Sequence, residues 1–152
     1  MYLIFVFHPN NITVGRRGVN ADYIDGMLQT KILVVTQRDY WEDHYRLFEA
    51  LISGAMVMTD RMLSLPAGLE NGTSLIEFIS EEDLRAKIHY YLQNTEKRLE
   101  IAREGRLVSM TKHRSWHRIE EIIFGEALSK CRQPSDEKKS PCPWVVHGNE
   151  TR

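Results

Sequence analysis

Several features that mark particular protein classes are scarce in this sequence. The chain has 20 Lys and Arg residues against 21 Asp and Glu residues, so it lacks the basic excess that lines a nucleic-acid groove. Its two cysteines, Cys131 and Cys142, both stand in a polar C-terminal segment. That arrangement suggests neither a disulfide framework nor a zinc site. We therefore expect no nucleic-acid partner and no fold held together by disulfides.

A long apolar run is also missing from the N-terminal region. The apolar stretch of residues 2–7 is too short to span a membrane and lacks the basic leader and cleavage site of a signal peptide. We expect a buried strand there and no transmembrane segment. The sequons at Asn11, Asn71 and Asn149 would accept glycans only in a secretory compartment. Localisation therefore stays open between the cytoplasm and the lumen of the ER or Golgi.

The apolar pattern in the first half of the chain predicts two strands joined by a helix. Residues 31–36 and 55–59 are continuous apolar runs, which are typical of strands covered on both faces in a parallel sheet. Between them, residues 43–53 carry apolar side chains at helical spacing, and Gly54 provides the left-handed residue that ends many helices. This order predicts a βαβ unit.

Further helices are predicted on either side of this unit. A short helix covers residues 20–29, and a third strand at 75–79 precedes a helix that Ser80 caps, with Asp83 completing a capping box. Two more helices are predicted over residues 96–109 and 114–128. The side chains predicted to face inward are Tyr23, Ile24, Met27 and Leu28 in the first helix and Trp116, Ile119 and Ile123 in the last.

The candidate site lies where the first parallel strand ends, because ligands of open parallel sheets bind at the carboxyl ends of the strands. The loop of residues 37–44 carries charged side chains and leads into a helix with Arg46 and Glu49 three residues apart. The helix N-terminus offers free N–H groups to a phosphate, and a carboxylate one turn later can accept from two sugar hydroxyls. The alternatives are an Arg46–Glu49 salt bridge on a solvated surface or two side chains that point into a ligand cleft.

Residues 31–60 resemble the C-terminal domain of group 1 glycosyltransferases. The pieces that carry the likeness are the strand at 31–36, an acidic loop, Phe48-Glu49-Ala50, Ser53-Gly54 and a strand that ends in Thr59-Asp60. The run from Arg46 to Ala55 is most similar to the CgeB-like subfamily, and the likeness extends over about 31–125. It implies an α/β fold: a partial Rossmann-like, three-layer GT-B donor-binding domain over residues 1–130, with parallel strands and C-terminal helices, before a polar tail at 131–152.

The resemblance also implies roles for individual residues. Glu49 matches the second member of the family's glutamate pair, which contacts the ribose of the donor. The first member precedes it by eight positions in the family, whereas Glu42 precedes Glu49 by seven. The catalytic role beside the donor sugar is therefore open among three residues. The candidates are Glu42, Asp43 and His44 for catalysis and Arg38, Arg46, Glu49 and Asp60 for donor binding.

The implied activity is glycosyl transfer from a nucleotide-sugar to an unknown acceptor, without a metal or another cofactor. A complete GT-B enzyme has an acceptor domain and an earlier half of the donor domain, so we expect this chain to be part of a larger enzyme or to need a partner chain. The alternative is a non-catalytic α/β module that binds a nucleotide or a protein, because a shortened sheet exposes an edge for pairing.

Two other groups of residues suggest weaker functional interpretations. His113 and His117 are spaced like one face of a helix, with Glu121 a turn further on, a pattern that could hold zinc. We favour a surface helix with Glu, Arg and His pairs, because Arg114 and Arg118 interrupt the pattern. The aromatic residues Tyr90, Tyr91 and Trp116 are predicted to pack against helices instead of serving as sugar platforms.

Overall fold

The computed structural model describes residues 3–8, 11–15, 21–36 and 45–125. Predictions that concern residues 16–20, 37–44 or the tail after 125 lie outside these ranges. The elements in chain order are β1 (Leu3–His8), β2 (Asn11–Gly15), α1 (Ala21–Gln29), β3 (Ile32–Val35), α2 (Tyr45–Ser53), β4 (Met56–Asp60), β5 (Ile76–Phe78), α3 (Glu81–Gln93), α4 (Thr95–Lys112) and α5 (Ser115–Phe124).

The described strands form one sheet in the order β2-β1-β3-β4-β5. The strands β3, β4 and β5 are parallel, which confirms the predicted βαβ unit. The strand β1 is antiparallel to both of its neighbours, β2 and β3. The sequence analysis predicted β1 as a buried strand but did not predict β2, so the hairpin that extends the sheet is a finding of the structure.

Helices cover both faces of this sheet, as the three-layer prediction requires. All four residues of β3 are fully buried, and successive side chains of a strand point to opposite faces. Leu33 and Val35 pack in one apolar cluster with residues of α1 and α2. Ile32 and Val34 pack in the other cluster, against which α3 lays partly buried apolar side chains. The predicted α/β fold class is therefore confirmed.

The long helix α4 contributes to both clusters. Ile101 and Ala102 belong to the cluster on the α3 side, whereas Val108 belongs to the cluster on the α2 side. Between them, a Cβ atom at Gly105 would collide with the carbonyl oxygen of Ser74 and lie 2.8 Å from the Leu51 side chain. The helix can approach the chain before β5 this closely because residue 105 has no side chain.

Local signals at the ends of helices are largely confirmed. Gly54 has a φ of 88° where α2 ends. The Ser80 hydroxyl accepts a hydrogen bond from the Asp83 backbone N–H at 3.1 Å, so Ser80 caps α3. The Asp83 carboxylate accepts from the N–H of Ile79, one residue before the cap, instead of from the cap itself.

At the other end of α3, a buried arginine of α4 binds the last turn. Arg98 donates to the Tyr91 carbonyl oxygen at 2.8 Å, and burial lowers the pKa of Arg98.

Two compact units divide the chain, Met1–Met110 and Thr111–Arg152. The first holds the sheet and most of α4, and the described part of the second consists of the end of α4 and α5. The prediction of a single domain over residues 1–130 stays a prediction. Within the ranges that the structure describes, no helix has both the length and the apolar character needed to cross a membrane.

The predicted inward face of α5 is partly wrong: Trp116 is half-buried, but the two isoleucines are exposed. Ile119 and Ile123 are 55% and 64% exposed, whereas His117 is fully buried. The backbone N–H of Arg114, which precedes the helix, donates to His117 Nδ1 at 3.0 Å. A histidine thus occupies the place of the acid in a capping box, and its buried ring faces inward where the isoleucines do not.

Candidate functional site

The start of α2 lies at the carboxyl edge of the parallel strands. Because α2 connects the parallel strands β3 and β4, it runs opposite to them, and its first turn follows the end of β3. Arg46 belongs to that first turn, and Glu49 to the next. Asp60 is the last residue of β4 and therefore lies at the same edge. The fold thus places these three predicted donor-binding residues at one edge of the sheet.

A tyrosine from the preceding helix joins the two charged residues of α2. The hydroxyl group of Tyr23 donates a hydrogen bond to Glu49 Oε2 at 3.1 Å. The same hydroxyl oxygen accepts a hydrogen bond from Arg46 Nη1 at 3.2 Å. The sequence predicted either a salt bridge between Arg46 and Glu49 or two side chains that point into a ligand cleft. The structure shows a third arrangement, in which the Tyr23 hydroxyl lies between Arg46 and Glu49. We call these three residues the Tyr23 triad.

The surroundings of Tyr23 and Arg46 raise the pKa of both side chains. Burial and the negative charge of Glu49 raise the pKa of Tyr23, and they outweigh the opposite effect of Arg46. Burial acts to lower the pKa of Arg46, but the Tyr23 oxygen and the Glu49 charge raise it above its ordinary value. The tyrosine therefore stays a neutral donor, and the arginine stays a cation.

Aromatic rings flank the Arg46 guanidinium group. Its central carbon lies 5.7 Å from the centre of the Tyr23 ring and 5.5 Å from the centre of the Tyr45 ring. These distances are within the range of cation–π attraction, which adds to the hydrogen bond in holding the side chain. Arg46 is thereby held in the first turn of α2.

The role of Tyr23 was not predicted from the sequence, where this residue stands only as one of the four side chains expected to face inward in the first helix. That prediction is partly wrong, since Ile24 and Leu28 are 51% and 62% exposed while Met27 is buried. The Tyr23 ring packs on the buried cluster, and its hydroxyl extends past the cluster to α2. A tyrosine has an apolar ring and a polar hydroxyl group that finds a hydrogen-bond partner when the ring is buried. A tyrosine in the helix before a buried strand therefore indicates a polar partner at the edge of the core.

The neighbouring strand ends add polar groups to this edge. The Thr59 hydroxyl donates to Asp60 Oδ1 at 3.3 Å, where β4 ends. On β5, Glu77 Oε1 accepts from the backbone N–H of Met62 at 3.3 Å, a contact that the sequence did not predict. Asp60 and Glu77 therefore lie on adjacent strands near the candidate site. The predicted residues Arg38, Glu42, Asp43 and His44 lie outside the part of the chain that the structure describes.

Comparison with known proteins identifies the family. The sequence profile of the family described as glycosyl transferase-like matches residues 6–123, which is more than half of the chain. The chain belongs to this family. The family prediction is therefore confirmed, whereas the CgeB-like subtype stays a prediction.

A solved structure shares the fold of this glycosyl transferase-like chain. It is the crystal structure of Anabaena Alr3699/HepE in complex with UDP, with a TM-score of 0.52 and 17% sequence identity. The alignment covers 59% of this chain and 25% of the HepE chain, so the chain corresponds to about a quarter of that protein's length. No curated protein matches. The similarity shows a glycosyltransferase-like fold of the GT-B kind.

The histidines of this glycosyl transferase-like chain are not arranged as a metal site. His113 lies before α5 instead of on it, and the Arg118 guanidinium stands 3.0 Å from His113 Nδ1. The same guanidinium donates to Glu121 Oε2 at 2.8 Å. A cation thus already connects two of the three predicted ligands. Across the described ranges, no group of three or more His, Cys, Asp or Glu side chains could hold a metal ion.

A surface cleft of about 400 Å³ lies away from the α2 edge, beside the turn at Gly72 that precedes β5. Tyr90 and Tyr91 line it with an edge-to-face contact of 5.0 Å between ring centres. Lys97 donates to the Tyr90 hydroxyl at 2.8 Å and lies 5.5 Å from the centre of its ring. The tyrosines are therefore engaged with their neighbours, as expected for helix-packing aromatics, although Tyr90 is 42% exposed.

Proposed function

We propose that this chain is the donor-binding part of a GT-B-type glycosyltransferase of the CgeB-like kind, which transfers a sugar from a nucleotide-sugar to an acceptor. The observation that carries the proposal is the Tyr23 triad at the start of α2, at the carboxyl edge of the parallel strands. Membership of the glycosyl transferase-like family supports the reaction class. The UDP in the HepE structure supports a nucleoside diphosphate as the bound group.

The chemistry of the start of α2 suits the diphosphate. The first backbone N–H groups of a helix have no partner within the helix and carry partial positive charge. Arg46 adds a full charge in the first turn, with a guanidinium that can donate two parallel hydrogen bonds to phosphate oxygens. When the sugar is transferred, negative charge develops on the departing diphosphate, and these groups stabilise it.

The chemistry of Glu49 suits the ribose. In the part of the chain that the structure describes, Tyr23 is the hydrogen-bond partner found for this carboxylate, and it uses Oε2. A carboxylate has two oxygens and about four acceptor sites, so Oε1 is left to accept from the neighbouring hydroxyl groups of a ribose. Glu49 therefore recognises the nucleoside, while Arg46 and the helix amides bind the phosphates.

Residues 37–44 are proposed to complete the site, since in the sequence they connect the end of β3 to the start of α2. Arg38 would add positive charge for the diphosphate. One of Glu42, Asp43 and His44 would take the catalytic place beside the donor sugar. Asp60, from the next strand, is proposed to line the donor cleft.

Nucleotide binding tests this proposal directly. UDP, GDP and ADP are titrated into the purified chain by isothermal calorimetry or saturation-transfer NMR. At least one of them should bind, and Glu49→Ala should weaken it at least tenfold, which corresponds to about 1.4 kcal/mol. Glu100→Ala is the matched control, because Glu100 is exposed on α4, away from the α2 edge. Absence of binding, or equal affinity for Glu49→Ala, would refute donor binding.

A non-catalytic protein-binding module is the second candidate function. The observation that favours it is the exposed apolar face of α5, where Ile122 is 84% exposed and Phe124 is 61% exposed. Scattered apolar residues are ordinary on surfaces, but a patch of them on one short helix is typical of an interaction site. Size-exclusion chromatography with light scattering separates the two: self-association without nucleotide binding would favour the module.

A further inference from the structure

The hydroxyl group of Tyr23 has two charged partners and a fixed place. Its ring packs against the buried cluster that contains Met27 and Leu47. Its oxygen lies 3.1 Å from Glu49 Oε2 and 3.2 Å from Arg46 Nη1. The core thus holds one end of the side chain, and two hydrogen bonds to charged groups hold the other. Such bonds are stronger than bonds between neutral groups.

We propose that Tyr23 is a positioning residue for nucleotide recognition, which acts by holding the Glu49 carboxylate in the orientation that accepts the ribose hydroxyls. This inference rests on the proposed function, because Tyr23 acts on the nucleotide through Glu49. The tyrosine itself need not touch the ligand, since its hydroxyl group donates to one carboxylate oxygen and leaves the other for the ribose.

The physical reason is the cost of ordering a flexible side chain. A glutamate on a helix surface samples several rotamers, and a ligand that selects one of them loses affinity in proportion. The hydrogen bond from Tyr23 fixes the Glu49 rotamer when the chain folds, so the nucleotide does not have to order this side chain when it binds. Because Arg46 donates to the same hydroxyl oxygen, the bonds run in one direction from Arg46 through Tyr23 to Glu49, and each polarises the next.

The position of the hydroxyl group has a second consequence. An arginine and a glutamate three residues apart on a helix are close enough to pair directly. A direct bidentate pair would use both oxygens of the carboxylate. With the Tyr23 hydroxyl between them, the two charges remain close, yet Glu49 uses only Oε2 for this contact.

The decisive variant is Tyr23→Phe, which keeps the packed ring and removes the hydroxyl group. Affinity is measured by calorimetry for UDP and for 2′-deoxy-UDP, or for the corresponding forms of GDP or ADP if one of those binds best. We expect Tyr23→Phe to weaken UDP about tenfold and to weaken 2′-deoxy-UDP about threefold or less. The preference for the ribose form should therefore fall, which a purely structural role would not produce.

Two further variants accompany this measurement. Tyr90→Phe is the matched control, because Tyr90 lies on α3, away from the triad, and the substitution removes a hydroxyl group that accepts a hydrogen bond from Lys97 of α4. It should leave both affinities unchanged. Glu49→Asp keeps the charge but withdraws the carboxylate by one methylene group from the Tyr23 hydroxyl. It should lower the ribose preference by itself, and adding Tyr23→Phe to it should cost no further preference, because the two residues act through one contact; a further loss of preference in the double variant would contradict the positioning role.

The outcomes separate this inference from the proposed function. If the wild-type chain binds no nucleotide, donor binding itself fails. If it binds and Glu49→Ala weakens binding, but Tyr23→Phe retains full affinity and full ribose preference, the positioning role is wrong and donor binding stands. An equal loss for UDP and 2′-deoxy-UDP would likewise overturn the positioning role, because the hydroxyl group would then not act through the ribose contact.

Discussion

Two groups of polar side chains at the starts of helices differ in how the arginine reaches the glutamate. At α2, the Tyr23 hydroxyl donates to one oxygen of Glu49 and accepts from Arg46, so the arginine reaches the carboxylate only through the tyrosine. At α5, the side chains of His113, Arg118 and Glu121 contact one another, and Arg118 donates to both of the others. Both groups contain an arginine and a glutamate three residues apart.

The difference between them lies in the contact between the arginine and the glutamate, which is direct in one group and passes through a tyrosine in the other. In the α5 group the Arg118 guanidinium donates directly to the Glu121 carboxylate at 2.8 Å. Next to this group, His117 Nδ1 accepts from the backbone N–H of Arg114 and caps the helix. In the α2 group a tyrosine from another helix separates the two charges. A direct bond from the guanidinium to the carboxylate stabilises the start of α5, whereas the tyrosine keeps Arg46 off Glu49 at the carboxyl edge of the strands, which suits a ligand site. The following variants test this contrast.

The largest effect is expected from His117→Ala in the α5 group. The substitution removes a fully buried ring and leaves the Arg114 N–H without its acceptor. We expect a loss of about 2–4 kcal/mol in the stability of α5, from the cavity and the unsatisfied donor together. Amide hydrogen exchange of α5 measures this. Nucleotide affinity should stay at the wild-type value, and unchanged protection of α5 would contradict the structural role.

A matched pair of glutamate variants addresses both groups at once. Glu49→Gln should lower nucleotide affinity about tenfold, or about 1.4 kcal/mol, because the amide places a donor where the ribose needs an acceptor. Glu121→Gln should leave nucleotide affinity unchanged and cost less than about 1 kcal/mol in urea denaturation, since the Arg118–Glu121 pair is substantially exposed. Equal effects of the two substitutions on binding would remove the distinction.

Zinc addition gives a smaller and more qualitative test of the α5 group. Because the Arg118 guanidinium connects His113 to Glu121, we expect equimolar zinc to leave the melting temperature within about 1 °C of the metal-free value, since a ligand that does not bind the native state does not stabilise it. Differential scanning fluorimetry with and without EDTA measures this. A clear zinc-dependent rise that His113→Ala abolishes would show that the group can open to hold a metal.

The smallest effect is expected in the stability of the chain at alkaline pH, where Tyr23 loses its phenolic proton. Burial and Glu49 raise the pKa of Tyr23, so the folded state holds the phenolic proton more tightly than the unfolded state. The stabilisation is fully present below the unfolded pKa of about 10 and is lost as pH rises through the higher folded pKa. Between pH 9 and 11, wild-type stability should therefore fall more steeply than that of Tyr23→Phe in urea denaturation. Parallel slopes would show that folding does not raise the pKa of Tyr23.

The sequence predicted the parallel core well because strand and helix signals were strong and local. The apolar run before Thr36 and the run after Gly54 became β3 and β4, and Ser80 caps α3 as its position indicated. The hairpin partner β2 was not predicted, because Asn11–Gly15 is a short segment with two apolar residues. The inward face of α5 was predicted wrongly, because the count of apolar residues could not register a buried histidine.

The candidate site was predicted in part. Arg46 and Glu49 share one helix, so their spacing and their place after a strand were readable from local order alone. The contact with Tyr23 was not readable, because that residue is 26 positions from Glu49 and belongs to another helix. The neighbouring Glu77 was likewise missed, since its contact with Met62 depends on the pairing of β4 with β5.

What the sequence alone determined is the order of the elements in the parallel core, the family, and the charged residues at the start of α2. These follow from periodicity, from capping residues and from a family motif, all of which act over a few neighbouring positions. The tertiary structure alone decided that Tyr23 stands between Arg46 and Glu49, and that His117 instead of the isoleucines faces inward in α5. Hydrogen bonds between distant residues depend on how helices pack, and packing places partners that no local pattern encodes.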